Sequence, residues 1–216
     1  MSKHDDPVRY LLFSILITAF ACSSQPERKN EIANDSSALE SESTNEPVQA
    51  KNIKSVEDIK LEFNQLQAQL NANELDSVSV EYDCNGEKSG NITYYSDKNN
   101  VRVIKHSYGE YSHFSADEEY YLKDDKLFFV FVKETAWGFI EGGTQDNIEE
   151  KRIYIVNDEP IQCLNKKYAI KSTTEDNPKS NEVANTEADC ASFKELLKTF
   201  DLLKKFKGSE SNCFEE

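Results

Sequence analysis

From Ser77 to Ala169 the chain alternates polar and apolar residues with a period of two, and short clusters of Asn, Asp, Gly and Lys break the alternation repeatedly. A period of two sends successive side chains to opposite faces of a strand, so this stretch predicts a β-sheet and little else. Val78, Val80, Tyr82 and Cys84 share one face of a first strand, and Asn85-Gly86 opens a turn. Asn91 to Tyr95, Val101 to Ser107 and Ser112 to Leu122 supply the next three strands. Between them lie the turn Ser96 to Asn100 and the connection Tyr108-Gly109-Glu110, and Lys123-Asp124-Asp125-Lys126 follows the fourth strand. Leu127 to Glu134 is apolar on both faces, which places it centrally, and Glu149 to Val156 and Ile161 to Ala169 complete the set. Short loops between successive strands predict an antiparallel meander of about six to seven strands.

The period changes to that of a helix on either side. Ser55 is a cap candidate, with Glu57 and Asp58 in the favourable first turn. Val56, Ile59, Phe63, Leu66 and Leu70 follow at spacings of three and four, opposite Lys60, Asn64, Gln67 and Asn71. At under three heptads this helix is short for a coiled coil, so it is expected to pack on its own sheet. Near the other end Phe193, Leu196, Leu197, Phe200, Leu203 and Phe206 mark an amphipathic helix, with Gly208 as its stop. The expected fold class is α+β, with a meander domain over 53–171, a polar linker over 172–189, and a C-terminal helix and tail over 190–216.

The N-terminus reads as an export signal. Lys3 and Arg9 precede an apolar run from Tyr10 to Ala21. Its roughly 12 residues would span about 18 Å as a helix, too short for a hydrocarbon core of about 30 Å. Cys22 directly after Ala21 resembles a bacterial lipobox, which implies a diacylglycerol anchor on Cys22 and cleavage after residue 21. The motif departs from the usual one in having Ala19 where Leu is common and Phe20 where a small residue is common. Ala19-Phe20-Ala21 also fits an A-x-A site for simple secretion. Residues 22–52 are rich in Ser, Glu and Asn with almost no aromatic side chains, so they are expected to form a flexible tether of about 30 Å reach. The reading is therefore a protein of the bacterial cell envelope, lipid-anchored and either periplasmic or surface-exposed.

With Cys22 reserved for lipid, Cys84, Cys163, Cys190 and Cys213 remain, and an exported location makes disulfides the expected state. Three pairings exist. Cys84 and Cys163 both share strand faces with apolar residues, which favours Cys84–Cys163 with Cys190–Cys213. The rival is a metal site, but there is no C-x-x-C and no histidine at ligand spacing to these cysteines. No metal or other cofactor is expected.

Formal net charge is −15, and loss of residues 1–21 leaves it unchanged, since Lys3, Arg9, Asp5 and Asp6 cancel. Nucleic-acid binding needs clustered Lys and Arg to replace phosphate counterions, and this balance argues against it. It argues equally against adhesion to anionic lipid by surface charge. No nucleophile-elbow, zinc-protease, phosphate-loop or EF-hand pattern occurs, and the 7 glycines leave little for Gly-rich loops. Paired carboxylates such as Asp124-Asp125 sit in predicted turns, where they are solvated. His106 and His113 flank a predicted turn and could meet, with Glu118 or Glu119, as an acid–base or metal site; two polar hairpin residues would look the same. Trp137 to Asn147 is expected to be the longest connection inside the sheet. Long loops on rigid scaffolds often carry binding. Trp137, the only Trp, and Phe139 offer aromatic area for a protein or sugar, or else pack over the sheet edge.

Two segments, Glu118 to Phe131 and Arg152 to Leu164, resemble those of secreted lipoproteins of Bacteroidota-type bacteria over residues 77–170. That group has no agreed function, so the resemblance implies a location and not an activity. The strand–turn pattern is also similar to β-meander antitoxin and immunity-like proteins. The expected function is a non-enzymatic envelope binding module for a protein or glycan. The alternatives are an immunity or inhibitor protein against a basic toxin, and a hydrolase using His106 and His113.

Overall fold

The computed structural model describes residues 52–98, 100–206 and Cys213. The export signal, Cys22 and all but the last residue of the 22–52 tether lie outside the described residues.

Helix α1, Val56–Asn71, starts where the sequence places it: the Ser55 hydroxyl accepts the Asp58 amide at 3.2 Å. The Asp58 carboxylate in turn accepts the Lys54 amide at 3.0 Å, and that bond holds its pKa below the usual value. Seven long strands follow in chain order: β1 Asp76–Cys84, β2 Lys88–Asp97, β3 Asn100–Glu110, β4 Phe114–Lys123, β5 Lys126–Ile140, β6 Gly143–Val156 and β7 Glu159–Lys171. Each pairs antiparallel with its neighbour in sequence, so the expected meander is what forms. An eighth strand, β8 Thr186–Glu187, adds to β7. It comes from the segment expected to be a linker. The turns explain the register. Asp124 and Asp125 have φ of 50° and 60°, and Asn157 and Asp158 have 53° and 65°. Consecutive left-handed residues match the twist of two-residue hairpins, and Asp and Asn tolerate them.

Alternation splits the core into two layers. Ile104, Tyr120, Val130 and Ile153 face one way and are covered by helix α2, Phe193–Lys205, through Phe193, Leu196, Phe200 and Leu203. Val103, Tyr121, Phe129 and Tyr154 face the other way and are covered by α1 through Ile59 and Leu66. β5, apolar on both faces, lies between β4 and β6, as expected for a central strand. Glu62 is the charged exception on the buried face of α1. It is held by Arg102 at 2.8 Å and Lys123 at 2.7 Å. At the other helix, the Tyr94 hydroxyl donates to the Leu203 and Phe206 carbonyls, which caps α2; burial pushes that hydroxyl up to about 12.

All four cysteines are in disulfides, but the expected pairing is wrong. The bonds are Cys84–Cys213 and Cys163–Cys190. In a sequential meander β1 and β7 are six strand spacings apart, roughly 29 Å. A disulfide needs Cα atoms within about 7 Å. Cys84 and Cys163 do face the same layer, as alternation predicts, but lateral order keeps them apart. Instead Cys190 ties the start of α2 to β7, and Cys213 ties the chain beyond α2 to β1.

Candidate functional site: an aromatic tip beside a polar sheet face

β5 and β6 are the longest strands, at 15 and 14 residues, and they outrun their neighbour. Pairing of β4 with β5 ends at Phe114 opposite Ala136, so Trp137 to Ile140 project past it. Trp137 to Asn147, expected to be a long loop, is therefore a hairpin arm. Only Glu141 and Gly142 lie outside the ladder, and Gly142 takes φ 78° to close the turn.

The arm is rigid for identifiable reasons. The Trp137 amide donates to the His113 carbonyl at 3.0 Å, and its indole Nε1–H donates to the Ser112 carbonyl. The His113 ring lies 4.3 Å from the indole, and Phe139 meets the indole at 79° with centroids 5.4 Å apart. On the other side Ser172 stitches the end of β7 to the start of β6, donating its amide to the Thr144 carbonyl and accepting the Thr144 amide on its hydroxyl. That approach needs Gly143, where a Cβ would clash with the Ser172 hydroxyl. Against this fixed frame Phe139 is 80% exposed, and Tyr111, in the adjacent turn, is 72% exposed. Trp137 stands directly opposite Asp146, and Phe139 opposite Thr144.

The register shows what lies beside the tip. Trp137 shares a face with Thr135, which pairs with Ser115 on β4. Across the sheet that face continues through Asp117, Ser107, Asn91 and Glu81, directly paired in turn. These residues and Asp83 line a broad open depression of about 820 Å³. Its floor is hydroxyl, amide and carboxylate, and Ser107 donates to Asp117 at 2.7 Å. Under α1 the same sheet face is apolar. There Phe63, Phe129 and Phe131 line a second concavity of about 540 Å³ with Lys60 and Arg152 at its rim. Below it burial, aided by the Glu119 carboxylate, drives the Tyr121 hydroxyl pKa well above its usual value.

The two histidines are not brought together. His113 belongs to the tip. His106 points into the layer under α2, is 0% exposed, and bonds Tyr82 Oη at 2.7 Å through Nε2 and Glu118 at 3.2 Å through Nδ1. Tyr120 also donates to Glu118, at 2.8 Å. Of the two carboxylates the sequence offers beside the histidines, Glu118 and Glu119, it is Glu118 that meets His106; the tyrosines, whose inward direction follows from the same alternation, were missed. Sequence reasoning also missed Glu150, a buried carboxylate on β6. Burial alone would raise its pKa. Bonds from Ser180, Arg152 and Tyr168, with the Lys166 ammonium nearby, outweigh burial and lower it to about 2. Among the described residues no group of three or more His, Cys, Asp or Glu is placed to hold a metal ion.

No protein-family model, curated protein or solved structure matches the chain. The class is therefore defined by the fold alone: an open antiparallel meander with one helix on each face. Its two disulfides fit an oxidising environment, extracellular or periplasmic. No described helix is long and apolar enough to cross a membrane.

Proposed function

We propose that this protein is an envelope lipoprotein, anchored through Cys22, whose domain is a non-enzymatic binding module for a protein or a glycan. The observation that carries the reading is the aromatic tip. Phe139 is 80% exposed although its neighbour Trp137 is fixed on three sides. An exposed ring on a pre-ordered support loses little entropy when it stacks on a ligand. The depression beside it offers the hydroxyls and carboxylates that orient polar ligands. The layout of signal, tether and meander is that of the Bacteroidota-type lipoproteins the sequence resembles.

The test is capture from native envelope extract with the mature chain and with its Trp137→Ala/Phe139→Ala variant, followed by mass spectrometry of bound protein and glycan. A ligand retained by the first and lost by the second is expected. Retention of every ligand by both would defeat the reading. Because Trp137 is the only Trp, quenching of its fluorescence on titration of the captured ligand reports on the tip directly. A second reading, an immunity or inhibitor protein, is favoured by the carboxylates Glu81, Asp83 and Asp117 in a chain of net charge −15. Nanomolar binding of a basic toxin encoded beside it would select that reading.

A further inference from the structure

The two edges of the sheet are finished differently. β7 is overlaid at its centre by β8, with the Ala188 amide donating to the Cys163 carbonyl at 2.9 Å and the Cys163–Cys190 bond holding the crossing chain in place. β1 has β2 on one side, and among the described residues no strand pairs with the other. Natural sheets blunt such edges with charged side chains, above all Lys, or with Pro, a bulge or a very short strand. Of these β1 carries only charge, and all of it acidic: Asp76, Glu81 and Asp83. It is nine residues long, contains no Pro and no Lys, and keeps unbroken register with β2. Its outer stretch Asp76 to Glu81 is open: Val78 is 65% exposed, and Ser77 and Ser79 are exposed.

We infer that the β1 edge from Asp76 to Glu81 receives an extended basic segment of another protein by antiparallel or parallel strand addition. Main-chain bonding would supply affinity and alternate side chains selectivity. The charges choose between occupants. A second copy would bring two sets of Asp76, Glu81 and Asp83 to one seam, in molecules that each carry −15. Asp76 and Glu81 make no ion pair among the described residues, so a strand bearing Lys or Arg meets open carboxylates. Alternation fixes the pattern. Asp76, Val78 and Val80 line one face of β1, and Ser77, Ser79 and Glu81 line the other. The added strand therefore sets basic residues five positions apart, opposite Asp76 and Glu81, with β-branched residues opposite Val78 and Val80 between them, and its binding weakens with salt.

The probe is a capped Lys-Val-Thr-Val-Thr-Lys peptide, which in antiparallel register sets its two Lys opposite Glu81 and Asp76, titrated calorimetrically into the mature chain with amide exchange followed at residues 76–81. Two control peptides replace Lys by Glu or carry N-methyl groups on every amide between the two Lys residues. The Lys peptide is expected to bind at least tenfold more tightly than either control and to slow exchange at 76–81. Val78→Lys/Ser79→Lys is expected to weaken it at least tenfold, while Val78→Glu retains it. The inference is overturned if the N-methylated peptide binds equally well, if the Lys variant does, or if no peptide binds. It is also overturned if the chain alone dimerises with 76–81 protected.

Discussion

Gly90 lacks a side chain because Tyr82 occupies the space one would need. A Cβ there would lie 2.7 Å from the Tyr82 hydroxyl, 2.6 Å from the Ser107 carbonyl and 2.8 Å from the Tyr108 Cβ. The gap lets the Tyr82 ring cross β2 and reach His106 on β3. Gly90→Ala should therefore cost about 1–3 kcal/mol, as overpacking does. Gly138→Ala, on the exposed arm with nothing within 4 Å of the new methyl, should be neutral or mildly stabilising by about 0.5 kcal/mol. Urea unfolding of the two variants with unchanged m-values checks the contrast. The buried Tyr82–His106–Glu118–Tyr120 cluster was only half legible in the sequence. Alternation gives the inward direction of all four, but His and Glu in a strand read as solvent-facing until the neighbouring strands supply the hydroxyls that satisfy them.

Among elements, the strands and most turns were legible because Asp-Asp, Asn-Asp and Asn-Gly pairs tolerate the left-handed backbone those hairpins use. The β5–β6 arm was not. Gly138, Gly142 and Gly143 look like a loop, yet only Gly142 serves the turn, while Gly143 admits Ser172. The segment 172–189 was also misread, since its polar composition hides specific attachments. Lys166 donates to the Ser180 carbonyl at 2.7 Å, and the Ser180 hydroxyl donates to Glu150 at 2.6 Å. That attachment has a pH signature. The Glu150 carboxyl falls from 4.5 to about 2 on folding, so its contribution is complete above pH 4.5 and is lost as pH falls toward 2. The loss is on the order of 2–3 kcal/mol. Glu150→Gln should remove most of this acid dependence, read as unfolding midpoints between pH 5 and 2, and should speed amide exchange at Thr186 and Glu187 at neutral pH.

At the scale of the whole molecule, the disulfides show why strand order mattered more than cysteine orientation. Each bond ties an element to one edge of the meander, and α2 lies between the two ties. In the chain-entropy model the 27-residue loop contributes about 3.5 kcal/mol and the 129-residue loop about 5. Cys84→Ser/Cys213→Ser should therefore lower stability more than Cys163→Ser/Cys190→Ser, measured by urea unfolding without reductant. The longer bond also decides how the chain carries mechanical load. Tension between the two ends passes through residues 52–84, crosses the Cys84–Cys213 bond and leaves by the tail, bypassing β2 to α2. Pulled from its ends, the oxidised domain can pay out only about 33 residues, roughly 115 Å of contour, whereas the reduced one releases several times as much. A domain built this way would stretch briefly and then hold, with most of the sheet, the aromatic tip included, still folded.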